Sequence, residues 1–136
     1  YVKHSTINVL KFVLSKHRNT LKHHQQMKIE NTKAQMRKGV LEFCILSVLY
    51  EQRMYASDIL TSLKDAKLLV VEGTLYPLLT RLKNAGLLEY EWEESTSGPP
   101  RKYYLLTDLG LSFLTELQGT WKELEQAVKQ TTKNLK

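Results

Sequence analysis

The sequence predicts a mainly helical protein with one small β-hairpin and a long C-terminal helix. Two observations indicate this class. Apolar residues recur at helical spacing through most of the chain, whereas only two short neighbouring segments near residue 100 have the character of β-strands. A chain of 136 residues suits one domain with a single hydrophobic core and leaves little room for a second.

Residues 1–26 differ in composition from the rest of the chain. They contain five basic residues and no acidic residue, whereas residues 27–136 carry 15 basic and 14 acidic residues, so most of the net charge of +6 lies in one short segment. Apolar residues at helical spacing between Ser5 and His24 predict a basic amphipathic helix, with Ser5 or Thr6 as N-cap. We interpret residues 1–26 as an extension foreign to the domain. Contact with DNA phosphates, anionic lipid or a partner helix are the alternatives.

Two helices are predicted before residue 67. The first, from Lys33 to Tyr50, is apolar on most faces, so it must be covered from more than one side, in part by another subunit. It contains Cys44, the only cysteine, which excludes an internal disulfide and predicts a buried thiol in a reducing compartment. The second helix, from Ala56 to Ala66, has a narrow apolar face.

A third helix is predicted from Gly73 or Thr74 to about Asn84. Pro77 is expected in its first turn, where a missing N–H costs little because the first donors of a helix have no helical partner. Gly86 suits the left-handed position that ends a helix. The inner face consists of leucines at i, i+3, i+4 and i+7, namely Leu75, Leu78, Leu79 and Leu82.

The hairpin is predicted from two strand-like segments, residues 87–93 and 101–106. In the first, Leu88, Tyr90 and Trp92 alternate with glutamates, which predicts a strand with one buried face. The intervening residues 94–100 end in Gly-Pro-Pro and form a long tip.

The last helix is predicted to begin after Thr107, which can cap it, and to run to about Thr132. Its apolar residues are spaced 3, 4, 3 and 4, the pattern with which one helix packs along another. We expect this apolar seam to form a homodimer interface and, near the domain, to pack on the first helix. The seam consists of Leu114, Leu117, Trp121, Leu124 and Val128.

Three helices followed by a hairpin is the order of a winged helix-turn-helix domain, in which the third helix reads DNA. We therefore predict such a domain over residues 27–106 and a dimerisation helix over residues 107–136. A symmetric dimer favours a pseudo-palindromic double-stranded operator. The candidate DNA-binding residues are Thr74, Tyr76, Pro77, Thr80, Arg81 and Lys83 on the third helix and Ser97, Gly98, Arg101 and Lys102 on the hairpin. Glutamates near these residues keep a second interpretation open, a winged helix that binds protein rather than DNA.

Other classes of protein are disfavoured. The domain has no histidine, no phosphate-binding glycine-rich loop and no cluster of metal ligands, so we expect no enzyme, no cofactor and no metal. His23 and His24 are adjacent and lack the i, i+4 spacing that places two imidazoles on one helix face. No stretch approaches the roughly 20 apolar residues that span a bilayer, so we expect a cytoplasmic protein without a membrane part.

Several of these stretches also resemble the signature of a known family. The sequences GTLYPLLTRL at residues 73–82, GLL at 86–88 and GPPRKYYLLT at 98–107 are similar to those of the PadR family of transcriptional regulators, as is QMRKG at 35–39. The resemblance implies a homodimeric winged helix-turn-helix repressor, often of detoxification or transport genes, that a small molecule or another signal releases from DNA. It also implies that Trp121 lines a site for a small apolar or aromatic effector. An ordinary interface anchor at Trp121, and no ligand at all, are the alternatives.

Overall fold

The computed structural model describes residues 2–136, and within them the chain forms four helices and one three-stranded sheet. The predicted mainly helical class with a small hairpin is confirmed. The chain divides into two compact units, the first ending at Gly39 and the second beginning at Val40, and the first helix belongs to both. The elements are α1 (Val2–Val48), β1 (Met54–Tyr55), α2 (Ala56–Asp65), α3 (Glu72–Asn84), β2 (Leu88–Glu93), β3 (Arg101–Leu106) and α4 (Asp108–Thr131).

The first unit is helical, and every side chain from residue 3 to residue 39 is exposed. The helix expected between Ser5 and His24 is present, but a cap at Ser5 or Thr6 is wrong because α1 already begins at Val2. A separate helix start at Lys33 is also wrong. Residues 2–38 contain neither glycine nor proline, so nothing in this stretch ends the helix before it reaches the core.

The second unit contains one hydrophobic core, to which all the larger elements contribute. Helices α2 and α3 provide Ile59 and Leu79, both fully buried. The Cys44 thiol is only half-buried, contrary to expectation, and burial raises its pKa. The buried core residues are Leu41, Ile45, Leu46, Leu49, Ile59, Leu63, Leu75, Leu79, Leu82, Leu87, Leu88, Tyr104 and Leu114.

Helix α3 begins earlier than predicted, at Glu72. Pro77 therefore lies in the second turn rather than the first, and its missing N–H removes one backbone hydrogen bond of the helix. The other end agrees with the prediction. Gly86 has a φ of 77°, and the Leu87 N–H donates to the Leu82 carbonyl at 3.0 Å, which is the hydrogen bond of a helix closed by a left-handed residue.

The sheet contains a strand that the sequence did not predict. The two-residue β1 pairs antiparallel with β3, which also pairs with β2, so the order is β1-β3-β2. The prediction of one buried face on β2 is wrong beyond its first residue. Leu88 is buried, but Tyr90 is 36% exposed and Trp92 is 63% exposed, because the hairpin extends past the core.

The junction between α3, β2 and α4 is held by one threonine. The Thr107 hydroxyl donates to the Gly86 carbonyl at 2.6 Å and accepts from the Gly110 N–H at 2.9 Å, which confirms it as the N-cap of α4. Gly110 is buried, and a Cβ there would overlap the Leu87 carbonyl oxygen. The start of α4 is therefore fixed against the end of α3.

Candidate nucleic-acid interface

The outer face of α3 carries the candidate residues that were predicted for it. Tyr76, Pro77, Thr80 and Lys83 are exposed, as expected for side chains opposite a leucine face, whereas Thr74 is half-buried. The Thr80 hydroxyl donates to the Tyr76 carbonyl at 3.1 Å. This face therefore presents a phenol, a hydroxyl and an ammonium group, which are groups that bind base edges and phosphates.

Arg81 is part of an ion pair within the domain. Its guanidinium contacts the carboxylate of Glu42 on α1, which is more buried than Arg81 itself. A pair with one partly buried member is costly to break, because it leaves a charge without its partner. Arg81 therefore links α3 to α1 in this structure, whereas Lys83 forms no ion pair within residues 2–136.

A groove of about 420 Å³ separates α3 from the hairpin and the start of α2. It brings together four of the predicted residues, two from α3 and two from β3. Sequence reasoning missed its other residues, because Tyr55 lies in a strand too short to give a periodic signal and the segment that contains Tyr104 alternates too weakly to show which face it presents. The groove is lined by Tyr55, Ala56, Ser57, Tyr76, Thr80, Arg101, Lys102 and Tyr104.

One face of the hairpin combines aromatic rings with lysines. The Nζ atom of Lys102 lies 4.2 Å from the ring centroid of Tyr90 and 5.1 Å from that of Trp92. From α3, the Nζ atom of Lys83 lies 5.4 Å from the Tyr90 centroid. Rings that hold cations at these distances keep two positive charges close to the groove.

The other face of the hairpin carries the acidic residues. The register pairs Trp92 with Lys102 and Glu93 with Arg101. Because neighbouring side chains of a strand point to opposite faces, the glutamates at positions 89, 91 and 93 lie on the face away from Tyr90 and Trp92. The sheet thus separates these acids from Tyr90, Trp92 and Lys102, whereas Arg101 lies on the acidic face, opposite Glu93.

Two tyrosines at the groove have raised pKa values. A hydrogen bond with Tyr55, with smaller effects of burial and of the Glu93 carboxylate, raises the pKa of Tyr103 to about 12. Burial, followed by the nearby Tyr76 and Tyr90, raises the pKa of Tyr104. Neutral phenols add no negative charge to a surface that is to bind phosphates.

The tip of the hairpin lies apart from the groove. Ser97 and Gly98 are exposed and do not line it, and the Ser97 N–H donates to the Ser95 hydroxyl at 3.3 Å. Small exposed residues at a loop tip leave room for a close approach of another backbone. The structure therefore brings Tyr76, Thr80 and Lys102 together in the groove and leaves the tip residues outside it.

The apolar seam of α4 is covered only near the domain. Leu114 is buried and Leu117 is half-buried, whereas Leu124 and Val128 are more than half exposed. Trp121 is 39% exposed, and its ring centroid lies 6.4 Å from that of Phe43 on α1. The predicted packing of the seam onto the first helix is thus present at its N-terminal end.

A second cavity, of about 500 Å³, lies between α1 and α4. Phe43 lines it, but Trp121 does not, so the indole predicted to contact an effector reaches this cavity only through Phe43. Its lining residues are Phe43, Ser47, Tyr50, Leu111, Leu114, Thr115 and Gln118.

Within residues 2–136, no group of three or more histidine, cysteine, aspartate or glutamate side chains could hold a metal ion. None of the helices in this range is long and apolar enough to cross a membrane.

The order of the elements, with an exposed third helix next to a hairpin, defines a winged helix-turn-helix domain. Residues 45–116 match the transcriptional regulator PadR-like family, and the chain belongs to this family. The resemblance seen in the sequence is therefore confirmed. Because the family consists of transcriptional regulators, the prediction that the chain is not an enzyme is confirmed as well.

Solved structures of similar proteins support this assignment. A PadR-like transcription factor from Bacteroides fragilis is 63% identical over 74% of this chain and 98% of its own, with a TM-score of 0.64. A PadR family regulator from Eggerthella lenta is 36% identical over 78% of this chain and 93% of its own, with a TM-score of 0.70. Bacillus subtilis PadR, solved with operator DNA, is 24% identical over 58% of this chain and 46% of its own, with a TM-score of 0.55, and shares the fold.

Proposed function

We propose that this PadR-like regulator is a sequence-specific DNA-binding repressor that acts as a homodimer on a pseudo-palindromic operator. Helix α3 lies in the major groove, and the hairpin contacts the backbone or the minor groove of the same half-site. The observation that carries the proposal is the groove between α3 and the hairpin, where Tyr76, Thr80, Arg101 and Lys102 come together.

The charges of the hairpin favour DNA over an acidic protein-binding surface. Lys83 and Lys102 are held on the aromatic face beside α3, and the three glutamates of β2 lie on the opposite face. A separation of this kind lets a domain of nearly neutral net charge present a positive surface to phosphates. The operator DNA bound to Bacillus subtilis PadR supports DNA as the partner class.

DNA binding is tested by fluorescence anisotropy with the duplex upstream of the gene itself and with a scrambled duplex, at several salt concentrations. The wild type should prefer its own promoter. Replacing Thr80 or Tyr76 by alanine should cost about 1–3 kcal/mol on the promoter and relax the sequence preference. Replacing Arg101 and Lys102 by alanine should weaken binding to both duplexes. The slope of log affinity against log salt concentration should become less steep by about one for each lost phosphate contact.

Lys133→Ala is the matched control for these variants. It removes one exposed lysine beyond the end of α4 and should leave affinity, sequence preference and salt slope close to those of the wild type. A wild type that bound both duplexes equally at moderate salt would contradict the repressor function.

The dimer is supported by the uncovered part of the apolar seam. Leu124 and Val128 expose 52% and 56% of their surface, which a second copy of α4 would bury in the pattern of a two-helix contact. Truncation at Thr115 removes this part and should yield monomers or aggregates that no longer bind the operator, as light scattering and anisotropy can show. A truncated chain that remained a stable dimer would place the main interface on α1.

We also propose an effector site at Trp121, supported by the ring of Phe43, which lies next to Trp121 and lines the cavity between α1 and α4. A planar apolar compound that stacks there should quench indole fluorescence, and Trp121→Ala should abolish its binding. Induction requires different affinities for the free and the DNA-bound protein. Equal affinities for the two forms would rule out induction by that compound.

The proposed domain limits follow from the same assignment. We assign DNA binding to residues 27–106 and dimerisation to residues 107–136, and we treat residues 1–26 as dispensable. A chain that starts at Met27 should bind the operator as tightly as the full chain once the salt concentration suppresses the contribution of the five extra basic residues. A loss of sequence preference on deletion would contradict this assignment.

A further inference from the structure

Arg53 lies just before β1 and contacts three residues of the acidic hairpin face. Its two terminal nitrogens lie 2.9 Å from Glu91 Oε2 and 3.1 Å from Glu93 Oε2, so one guanidinium binds two carboxylates of β2. The guanidinium carbon also lies 4.3 Å from the ring centroid of Tyr103 on β3. Arg53 thus connects both strands of the hairpin to the segment that precedes α2.

The cluster of Arg53, Glu91 and Glu93 matters more for its place on the hairpin than for its contribution to folding stability. Exposed ion pairs contribute little to folding, and Arg53, Glu91 and Glu93 are all about half exposed. Two carboxylates on a hairpin that approaches DNA, however, repel the phosphates over a distance of about 10 Å at ordinary salt. A cation bound to both carboxylates offsets one of their two negative charges and so lowers that repulsion.

The stacked rings keep the guanidinium in this place. Tyr103 stacks on Tyr55, with ring centroids 3.8 Å apart, and the Arg101 guanidinium carbon lies 5.1 Å from the Tyr55 centroid. The two arginines therefore bracket one aromatic stack, Arg53 against Tyr103 and Arg101 against Tyr55. Arg101 lines the groove that we assign to DNA, whereas Arg53 does not.

We propose that Arg53 is a positioning residue, which offsets one of the two negative charges of Glu91 and Glu93 and holds the hairpin so that its aromatic and basic face meets DNA. This inference rests on the proposed function. Arg53 contacts no phosphate itself. Its effect on DNA binding passes through the two carboxylates, so the effect disappears when they are absent.

A mutant cycle on the full chain tests this, with affinity for the promoter duplex measured against salt. Arg53→Gln should weaken binding about tenfold at low salt, with a smaller loss as salt screens the exposed carboxylates. The double variant Glu91→Gln, Glu93→Gln should raise affinity by less when Arg53 is present than in the Arg53→Gln chain, because it also releases the contact by which Arg53 holds the hairpin. The same two substitutions in the Arg53→Gln chain should restore the lost affinity.

Two further variants separate pairing from charge alone. Lys129→Gln removes one positive charge from the last turn of α4 and should change affinity far less than Arg53→Gln. Arg53→Lys keeps the charge but not the planar fork that spans two carboxylates, and it should fall between wild type and Arg53→Gln. Thermal melts of all variants should stay close to that of the wild type, because the cluster is exposed.

The outcomes are distinguishable. If the two glutamate substitutions raised affinity equally in the wild-type and Arg53→Gln chains, Arg53 would act as an independent charge. If they failed to restore the affinity lost in Arg53→Gln, Arg53 would contact DNA directly. Either result, or unchanged affinity in Arg53→Gln, overturns the inference while the proposed function stands. A wild type with no preference for the promoter would overturn both.

Discussion

Helices α3 and α4 are both amphipathic, but only α3 has its apolar face covered by its own chain. Leu75, Leu79 and Leu82 are at most 2% exposed, whereas Leu124 and Val128 of α4 are more than half exposed. The two helices have a similar pattern of apolar residues. A periodic pattern therefore shows that a helix needs a partner surface, and the fold decides whether the chain supplies that surface itself.

The two helices also divide the function proposed here. The covered face of α3 leaves its outer side rigidly supported for contact with DNA, and the uncovered part of α4 is available to a second copy.

The largest difference is expected between two leucines. Leu79→Ala leaves a cavity in the core and should lower the free energy of unfolding by about 2–5 kcal/mol. Leu124→Ala should instead lower stability by an amount that depends on protein concentration, because it acts on association. Urea unfolding at two protein concentrations measures both. If both variants lost the same free energy of unfolding at both protein concentrations, the apolar face of α4 would be covered within one chain.

The next difference lies between two glycines of α4. Gly110→Ala forces a methyl group against the Leu87 carbonyl and should cost about 1–3 kcal/mol. Gly119 has open space around its Cβ position, so Gly119→Ala should gain up to about 1 kcal/mol from helix propensity. Thermal unfolding of the two variants gives the signs. A destabilising Gly119→Ala would indicate that a partner helix approaches closely at this position.

A smaller loss is expected at the junction of α3 and α4. Thr107→Ala removes the cap of α4 and the hydrogen bond to the Gly86 carbonyl, and it should cost about 0.5–2 kcal/mol. Thr115→Ala is the matched control, because that exposed hydroxyl only donates to a carbonyl of its own helix. Denaturant titration should separate the two variants. Similar values would show that the cap does not hold the junction.

The smallest effect is a gain, at the turn that leads into α3. Lys67 lies two residues after the last residue of α2 and has a φ of 65°, the left-handed conformation that Gly86 adopts after α3. Lys67→Gly relieves the strain of this conformation and should stabilise the protein by about 0.5–1 kcal/mol. Lys64→Gly, inside α2, should destabilise it by about 1 kcal/mol. A loss of stability in Lys67→Gly, measured by thermal unfolding, would contradict the explanation.

Local signals in the sequence predicted most of the second unit. The leucine spacing of α3, the strand of residues 101–106, the cap at Thr107 and the left-handed Gly86 were all correct, since each depends on residues within one or two turns of one another. The start of α3 was placed one or two residues too late, because no capping side chain marks it. That error moved Pro77 into the wrong turn.

The candidate site was predicted less completely. Its α3 residues follow from the leucine face, since whatever faces away from the core is exposed. Tyr55 and Tyr104 were missed as groove residues, because their place depends on the pairing of β1 with β3, between residues about 50 positions apart. The partner of Arg81 on α1 could not be predicted either, since no local pattern links Glu42 to α3.

The sequence by itself determined which element each segment forms, which face of α3 turns inward, and which family the chain resembles, because these properties depend on periodicity and short motifs. Only the tertiary structure decided which apolar faces stay uncovered and where the hairpin leaves the core. It also decided that Arg53 contacts Glu91 and Glu93, which lie 38 and 40 residues further along the chain. The physical reason is that burial and charge pairing depend on the distances between elements. Strand register and helix packing set those distances, and no local pattern encodes them.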